Sequence, residues 1–211
     1  MDEQYELKND ILLVAYFMNE NGWNAISKTN FQRVLYFSAT LSPVFMNEYE
    51  WSYNFANTLF GPINRDLTAE LEELYAKRLL CLAERKIALN RVEEKYFISE
   101  QGIDTVTNII MKIIAEESKI LWLKLIVKVL SIYEESFLSK LIKEDPNVSN
   151  MNNNSQKAII PIGNNDDNLS KELLLYLQSA GKEKLKLEND TDEEYLMLFF
   201  DLLYRKYKEG R

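Results

Sequence analysis

Residues 60–99, FGPINRDLTAELEELYAKRLLCLAERKIALNRVEEKYFIS, limit the folds open to this chain more than any other stretch. Phe60-Gly61-Pro62 reads as a turn, because glycine reaches backbone angles closed to other residues and proline fixes its own. A helix is expected over 64–79, with Asn64 as its N-cap and Asp66 in the first turn, where a carboxylate favours the helix dipole. Leu67, Leu71, Leu74 and Leu79 recur at the spacing of one buried face and leave Glu70, Glu72, Glu73 and Lys77 pointing outward. Strands are expected over 81–88 and 93–98 with a turn near Asn90. Tyr96 and Ile98 alternate with Lys95 and Phe97, as a hairpin with one buried face requires.

A helix followed by a hairpin is the second half of a winged helix, and the upstream residues supply a first half. Leu7, Ile11, Val14, Ala15 and Met18 mark a helix over 5–20 that Asn21-Gly22 stops. Ser27 or Thr29 caps a second helix over 29–41, which carries Phe31, Val34, Leu35, Phe37 and Leu41 and ends before Pro43. Trp51, Tyr53 and Phe55 alternate, so a short strand is expected over 51–56. Further helices are expected from 99 to 115 and from 118 to 143, the second continuous or kinked near Tyr133 and ended by Asp145-Pro146. The expected fold is therefore mainly α, of the α+β kind, with a winged-helix-like core and β-hairpin wing, long helices and a helical C-terminal extension. Its divisions are a core with helical extension over 1–146, an Asn-rich linker over 147–168 and a helical segment over 169–211. Within the linker, AIIPI (158–162) can dock on a neighbour like a strand. Gly181 closes a helix over 169–180, and Thr191-x-x-Glu194 opens another over 191–208 as a capping box.

The residues that chemistry needs are scarce. The chain has no histidine, which removes Ser-His-Asp and Cys-His catalysis and His-ligated metals together. Its one cysteine, Cys81, sits in the apolar run LLCLA and reads as a small buried hydrophobe. Glu93-Glu94-Lys95 resembles the acidic-x-Lys end of a nuclease core but lacks the preceding acid on a neighbouring strand. Gly181-Lys182 lacks the upstream glycine and the following Ser or Thr of a phosphate loop. No catalytic residue, cofactor or metal is expected, and the chain reads as a binding or assembly protein.

Charge narrows the partners. The net charge is −8. On the helix over 64–79, Arg65, Lys77 and Arg78 face Asp66, Glu70, Glu72 and Glu73; on the wing, Arg85, Lys86, Arg91 and Lys95 are balanced against Glu84, Glu93 and Glu94. Phosphates repel such a helix, so a protein-binding scaffold is expected. Should DNA be touched at all, Lys86, Arg91 and Lys95 are the residues to do it. The helix over 191–208 presents Leu196, Phe199, Phe200 and Leu203 on one face, and aromatic anchors of that kind serve as interface hot spots. This face is expected to dock a partner, the alternative being that it folds back on its own domain. The acidic N-terminus is no signal peptide, and Lys124 and Lys128 interrupt the longest apolar run. No membrane span is expected, and the cytoplasm is the expected location.

Two stretches in order carry a family resemblance. FGPINRDLTAELEELYAKRLL resembles the F/Y-G-P-x-S/N-x-x-L-x-x-x-L-x-x-L segment of bacterial winged-helix-like accessory proteins, and YFISEQG resembles its Y-x-L-T-x-x-G ending. IYEESFLSKLIKEDP then resembles the Y-G-E-E-x-L-L-x-L-I-x-x-D-P signature of the middle component of ABC three-component systems, a group that includes the small accessory subunit of Lamassu anti-phage defence. The likeness covers roughly residues 8–148. It departs at Glu134, where the signature has glycine after the tyrosine. The resemblance implies a non-catalytic accessory subunit that bridges an SMC- or Rad50-like ABC ATPase and an effector such as a nuclease, with DNA reached only indirectly or within the complex. The alternative is a winged-helix DNA-binding regulator or antitoxin-like protein.

Overall fold

The structure is a computed structural model that describes residues 3–46, 49–88, 91–153, 158–181 and 191–209. It is mostly helical, with a small antiparallel sheet and a helical C-terminus. α1 (Glu3–Glu20) ends at Asn21-Gly22, as expected. β1 (Ile26–Ser27) leads into α2 (Lys28–Leu41), where the Ser27 hydroxyl caps the Asn30 amide at 3.3 Å. A 3-10 turn over Ser42–Val44 follows.

β2 (Ala56–Thr58) and β3 (Gly61–Ile63) form a tight hairpin, with Thr58 opposite Gly61 and Leu59-Phe60 at its tip. The strand expected over 51–56 is absent. Trp51, Tyr53 and Phe55 instead stack edge to face on one side of an extended segment, with ring centroids 5.4 and 5.9 Å apart. α3 (Leu67–Ala76) starts later than expected, yet Asn64 performs the capping: its Oδ1 accepts from the Asp66 and Leu67 amides at 3.0 and 2.9 Å. β4 (Leu80–Ala88) and β5 (Arg91–Ile98) pair antiparallel, and β1 lies on the other edge of β5, Ile26 opposite Tyr96. The turn expected near Asn90 lies outside the described residues.

α4 (Glu100–Asn108) is capped by Ser99 and packs so closely on the chain before β4 that a Cβ at Gly102 would stand 2.2 Å from the Leu79 carbonyl oxygen. The helix expected to reach 115 breaks instead into 3-10 turns over Ile110–Lys112 and Ile114–Glu116. β-Branched isoleucines crowd this stretch and weaken its helical propensity. The stretch expected over 118–143 as a helix continuous or kinked near Tyr133 breaks there into two, α5 (Glu117–Ser131) and α6 (Glu135–Glu144), with Glu134 extended between them.

The Asn-rich stretch read as a linker is folded wherever it is described. Asp145 caps a new helix, α7 (Pro146–Asn153), with its carboxylate on the Val148 amide and proline in the first helical position. Residues 158–162 do dock like a strand: the Asn57 amide donates to the Ala158 carbonyl at 3.0 Å, and the Ile160 amide to that of Phe55 at 2.7 Å. Two of the asparagines that composition assigns to solvent, Asn147 and Asn168, are buried hubs. Asn147 donates to the Pro161 carbonyl and to Asn168, and Asn168 donates to the carbonyls of Thr40 and Gly163 while capping α8 (Leu169–Ala180). At the centre of this knot, the buried Asp145 accepts from the hydroxyls of Tyr36 and Ser170, each at 2.6 Å.

α9 (Asp192–Glu209) opens with the expected capping box, the Thr191 amide donating to Glu194 at 2.9 Å. Its apolar face packs against the chain itself. Leu196, Phe199, Phe200 and Leu203 are all buried, and the Phe200 ring meets that of Phe37 on α2 edge to face at 5.1 Å. They share one core with Ile11, Phe31, Leu123 and Leu130. At one side of this core α5 supplies Lys119, whose buried ammonium stands 2.7 Å from both Glu6 and Asp10 of α1. Tyr49 and Tyr53 donate to the same two carboxylates, and the Tyr49 and Trp51 rings flank the ammonium.

Candidate docking groove between two hairpins

The Leu59-Phe60 tip stands out from the surface because its hairpin is built tightly. The Thr58 hydroxyl donates to the Gly61 carbonyl at 2.8 Å and accepts from the Phe60 amide. Gly61 has φ +104°, and a Cβ there would meet the Ile142 Cγ2 of α6 at 3.0 Å. Glycine is favoured on both counts. Leu59 is thereby left 93% exposed and Phe60 62% exposed.

Across from this tip lies the far end of the β4–β5 hairpin, where Val92 is 56% exposed. Between the two, the N-terminal half of α2, the C-terminal half of α6 and part of α7 form the floor of a groove of about 810 Å3, which Leu59, Phe60, Val92, Arg33, Ser139 and Lys143 line. A second depression of about 660 Å3 continues it along β5 and shares Arg33, Val92 and Ser139.

The second depression is organised by Glu135, the first residue of α6. Burial pushes its carboxyl upward, but donation from Lys95 at 2.6 Å, from Asn30 at 2.8 Å and from the Ser27 amide outweighs this, so it is held below the usual carboxylate range. Asn30 in turn accepts from the Arg33 Nη1 at 2.5 Å. The Arg33 Nε is buried and has no acceptor among the described residues.

The residues singled out from sequence fall in three places. Lys86 and Lys95 line the second depression, but each is paired, Lys86 with Glu84 at 2.8 Å and Lys95 with Glu135. Arg91 begins β5, and its side chain lies outside the described residues. Arg85 pairs with Glu94 at 3.1 Å, and Lys28 bridges Glu94 and Glu72. Burial would lower Lys28, yet the two carboxylates more than offset it and hold its ammonium above the usual range. Leu196, Phe199, Phe200 and Leu203 belong to the core and offer no surface to a partner, because α2, α5, α6 and α8 already cover that face. Glu70, expected in solvent, turns inward to Lys8 at 3.1 Å. Cys81 is half-buried, opposite Phe97 in the sheet.

Leu59, Val92, Arg33 and Lys143 were not legible as site residues. The signal for the first was an apolar pair placed directly before Gly-Pro, where a turn would otherwise favour polar residues. Among the described residues, no helix is long and apolar enough to cross a membrane. No family model matches the chain, and no curated protein does either.

Proposed function

We propose that this chain is a non-catalytic accessory subunit, with a winged-helix-like core, of a bacterial anti-phage defence complex. In this reading it bridges an SMC- or Rad50-like ABC ATPase and an effector such as a nuclease. The observation that carries the reading is the meeting of the two stretches on which the family resemblance rests: Gly61 of the Phe-Gly-Pro turn lies against Ile142 of SKLIKEDP, and the turn projects Leu59 and Phe60 beside the hairpin. The order α1, β1, α2, α3 and the β4–β5 hairpin, with the β2–β3 hairpin inserted between α2 and α3 and β1 alongside the second strand of the wing, supports the winged-helix part. The pairing of Lys28, Arg85, Lys86 and Lys95 with carboxylates supports a protein partner over phosphates, which need cations free to displace counterions.

The test is co-expression of the tagged chain with an SMC-like ATPase and the effector encoded beside it. Recovery of all three in one complex, with ATPase and nuclease activity traced to the other two, is the expected result. A chain that leaves both behind and binds short duplex DNA tightly at physiological salt would instead be a DNA-binding regulator.

A further inference from the structure

We propose that the groove between the Leu59-Phe60 tip and Val92 receives a linear peptide segment of a partner protein, in which an acidic side chain lies among bulky apolar ones. The inference deepens the adaptor reading and rests on it only in taking the occupant to be protein. In a chain of net charge −8, the only charged side chains on the described lining of this groove are cationic, Arg33 and Lys143. Lys143 makes no ion pair among the described residues. Arg33 lines the groove as well: one nitrogen donates to Asn30, and burial costs its charge more than the nearby Glu135 returns, a deficit that an incoming carboxylate would reduce. Charge complementarity therefore selects an anionic occupant.

The rim selects its other property. Leu59, Phe60 and Val92 stand exposed on two hairpins that face each other across the groove, and Ile142 contributes to the floor. Apolar side chains held out on rigid turns gain most by closing over apolar side chains of a partner. Nucleic acid fits less well. Its phosphates come at short intervals and need a run of cations, whereas the groove offers two, rimmed by leucine and valine.

The probe is a phage-displayed library of random decapeptides panned on the full-length chain. The expected result is enrichment of sequences with Asp or Glu flanked by Leu, Ile, Phe or Trp. A fluorescent synthetic peptide of the enriched sequence should lose at least ~10-fold in affinity to Lys143→Glu, to Leu59→Asp and to Arg33→Gln. Changing the peptide's acid to lysine should cost the wild type as much and recover binding to Lys143→Glu. Leu59 and Lys143 are exposed, so those two variants keep the wild-type melting curve and separate lost recognition from lost folding. Absence of enrichment, enrichment of basic peptides, or an affinity that both exposed-site variants leave unchanged would overturn the proposal. So would a single-stranded DNA oligonucleotide that binds more tightly than any selected peptide and responds to the same substitutions. The two readings fail separately. Peptide binding without co-purification of the ATPase removes the adaptor reading alone. Co-purification by variants of a groove that selects no peptide removes the groove alone.

Discussion

The hydroxyl of Tyr36 donates to Asp145 across 2.6 Å, and neither side chain reaches solvent although 109 positions separate them in the chain. Among the described residues no cation stands beside Asp145; hydroxyls and backbone amides hold it, and burial pushes its carboxyl above the ordinary range. Tyr36→Phe keeps the shape of the ring but leaves the carboxylate one donor short, at an expected cost of about 1–3 kcal/mol. Asp145→Ala removes the cap of α7 and strands the Tyr36 and Ser170 hydroxyls together, so it should cost more. Urea denaturation of the two variants checks the order.

Lys119 is one cation shared by two buried carboxylates. At about pH 8, above the Asp10 transition, Lys119→Met leaves Glu6 and Asp10 facing each other without it and is expected to destabilise the chain by roughly 3–5 kcal/mol. Adding Glu6→Gln and Asp10→Asn removes the unpaired charges and should return part of that loss, as read from the shift of the denaturation midpoint.

The same cluster gives the fold a pH dependence of definite sign. Burial raises the Asp10 carboxyl from 3.8 to about 7, against the pull of Lys119 and the Tyr53 hydroxyl. The folded chain then holds a proton that the unfolded chain releases. The resulting stability is complete below about pH 4 and is lost as pH climbs to about 7. Glu6 is shifted the opposite way, below its ordinary 4.5, so its own transition lies at lower pH. Between about pH 5 and about pH 8, Asp10→Asn should therefore gain on the wild type by about 1–3 kcal/mol. A difference that stays flat across that range would mean Asp10 titrates as an ordinary carboxylate.

Gly61→Ala is expected to cost about 1–3 kcal/mol, from the positive φ and from the Cβ meeting Ile142. Ile142→Ala removes the obstructing methyl, so the double substitution should fall short of the sum by the steric share. A double-mutant cycle on unfolding free energies measures that share.

Phe199→Ala or Phe200→Ala is expected to cost about 3–5 kcal/mol, because each ring fills a closed core. Loss of a partner in either variant would report unfolding and not a docking site. Leu198→Ser on the exposed side of α9 should leave the melting temperature nearly unchanged.

The amino-acid order by itself determined where backbone regularity arises. Apolar spacing marked α1, α2, α3 and α9; Gly181 marked the end of α8; alternation marked the β4–β5 hairpin; and Ser27 or Thr29, Asn64, Ser99 and Thr191 marked helix starts, since each of these signals acts within a few residues. Tertiary structure alone decided what covers each surface. The apolar face of α9 looked open to a partner until Phe37 and its neighbours closed over it. Asn147, Asn168 and Glu70 looked solvated until carbonyls and a lysine from other elements bonded them. The reverse held for the groove: Leu59 and Val92 are apolar like any core residue, and only the arrangement of two hairpins around α6 leaves them outside. Periodicity is a property of one backbone segment, whereas burial depends on partners supplied from far along the chain.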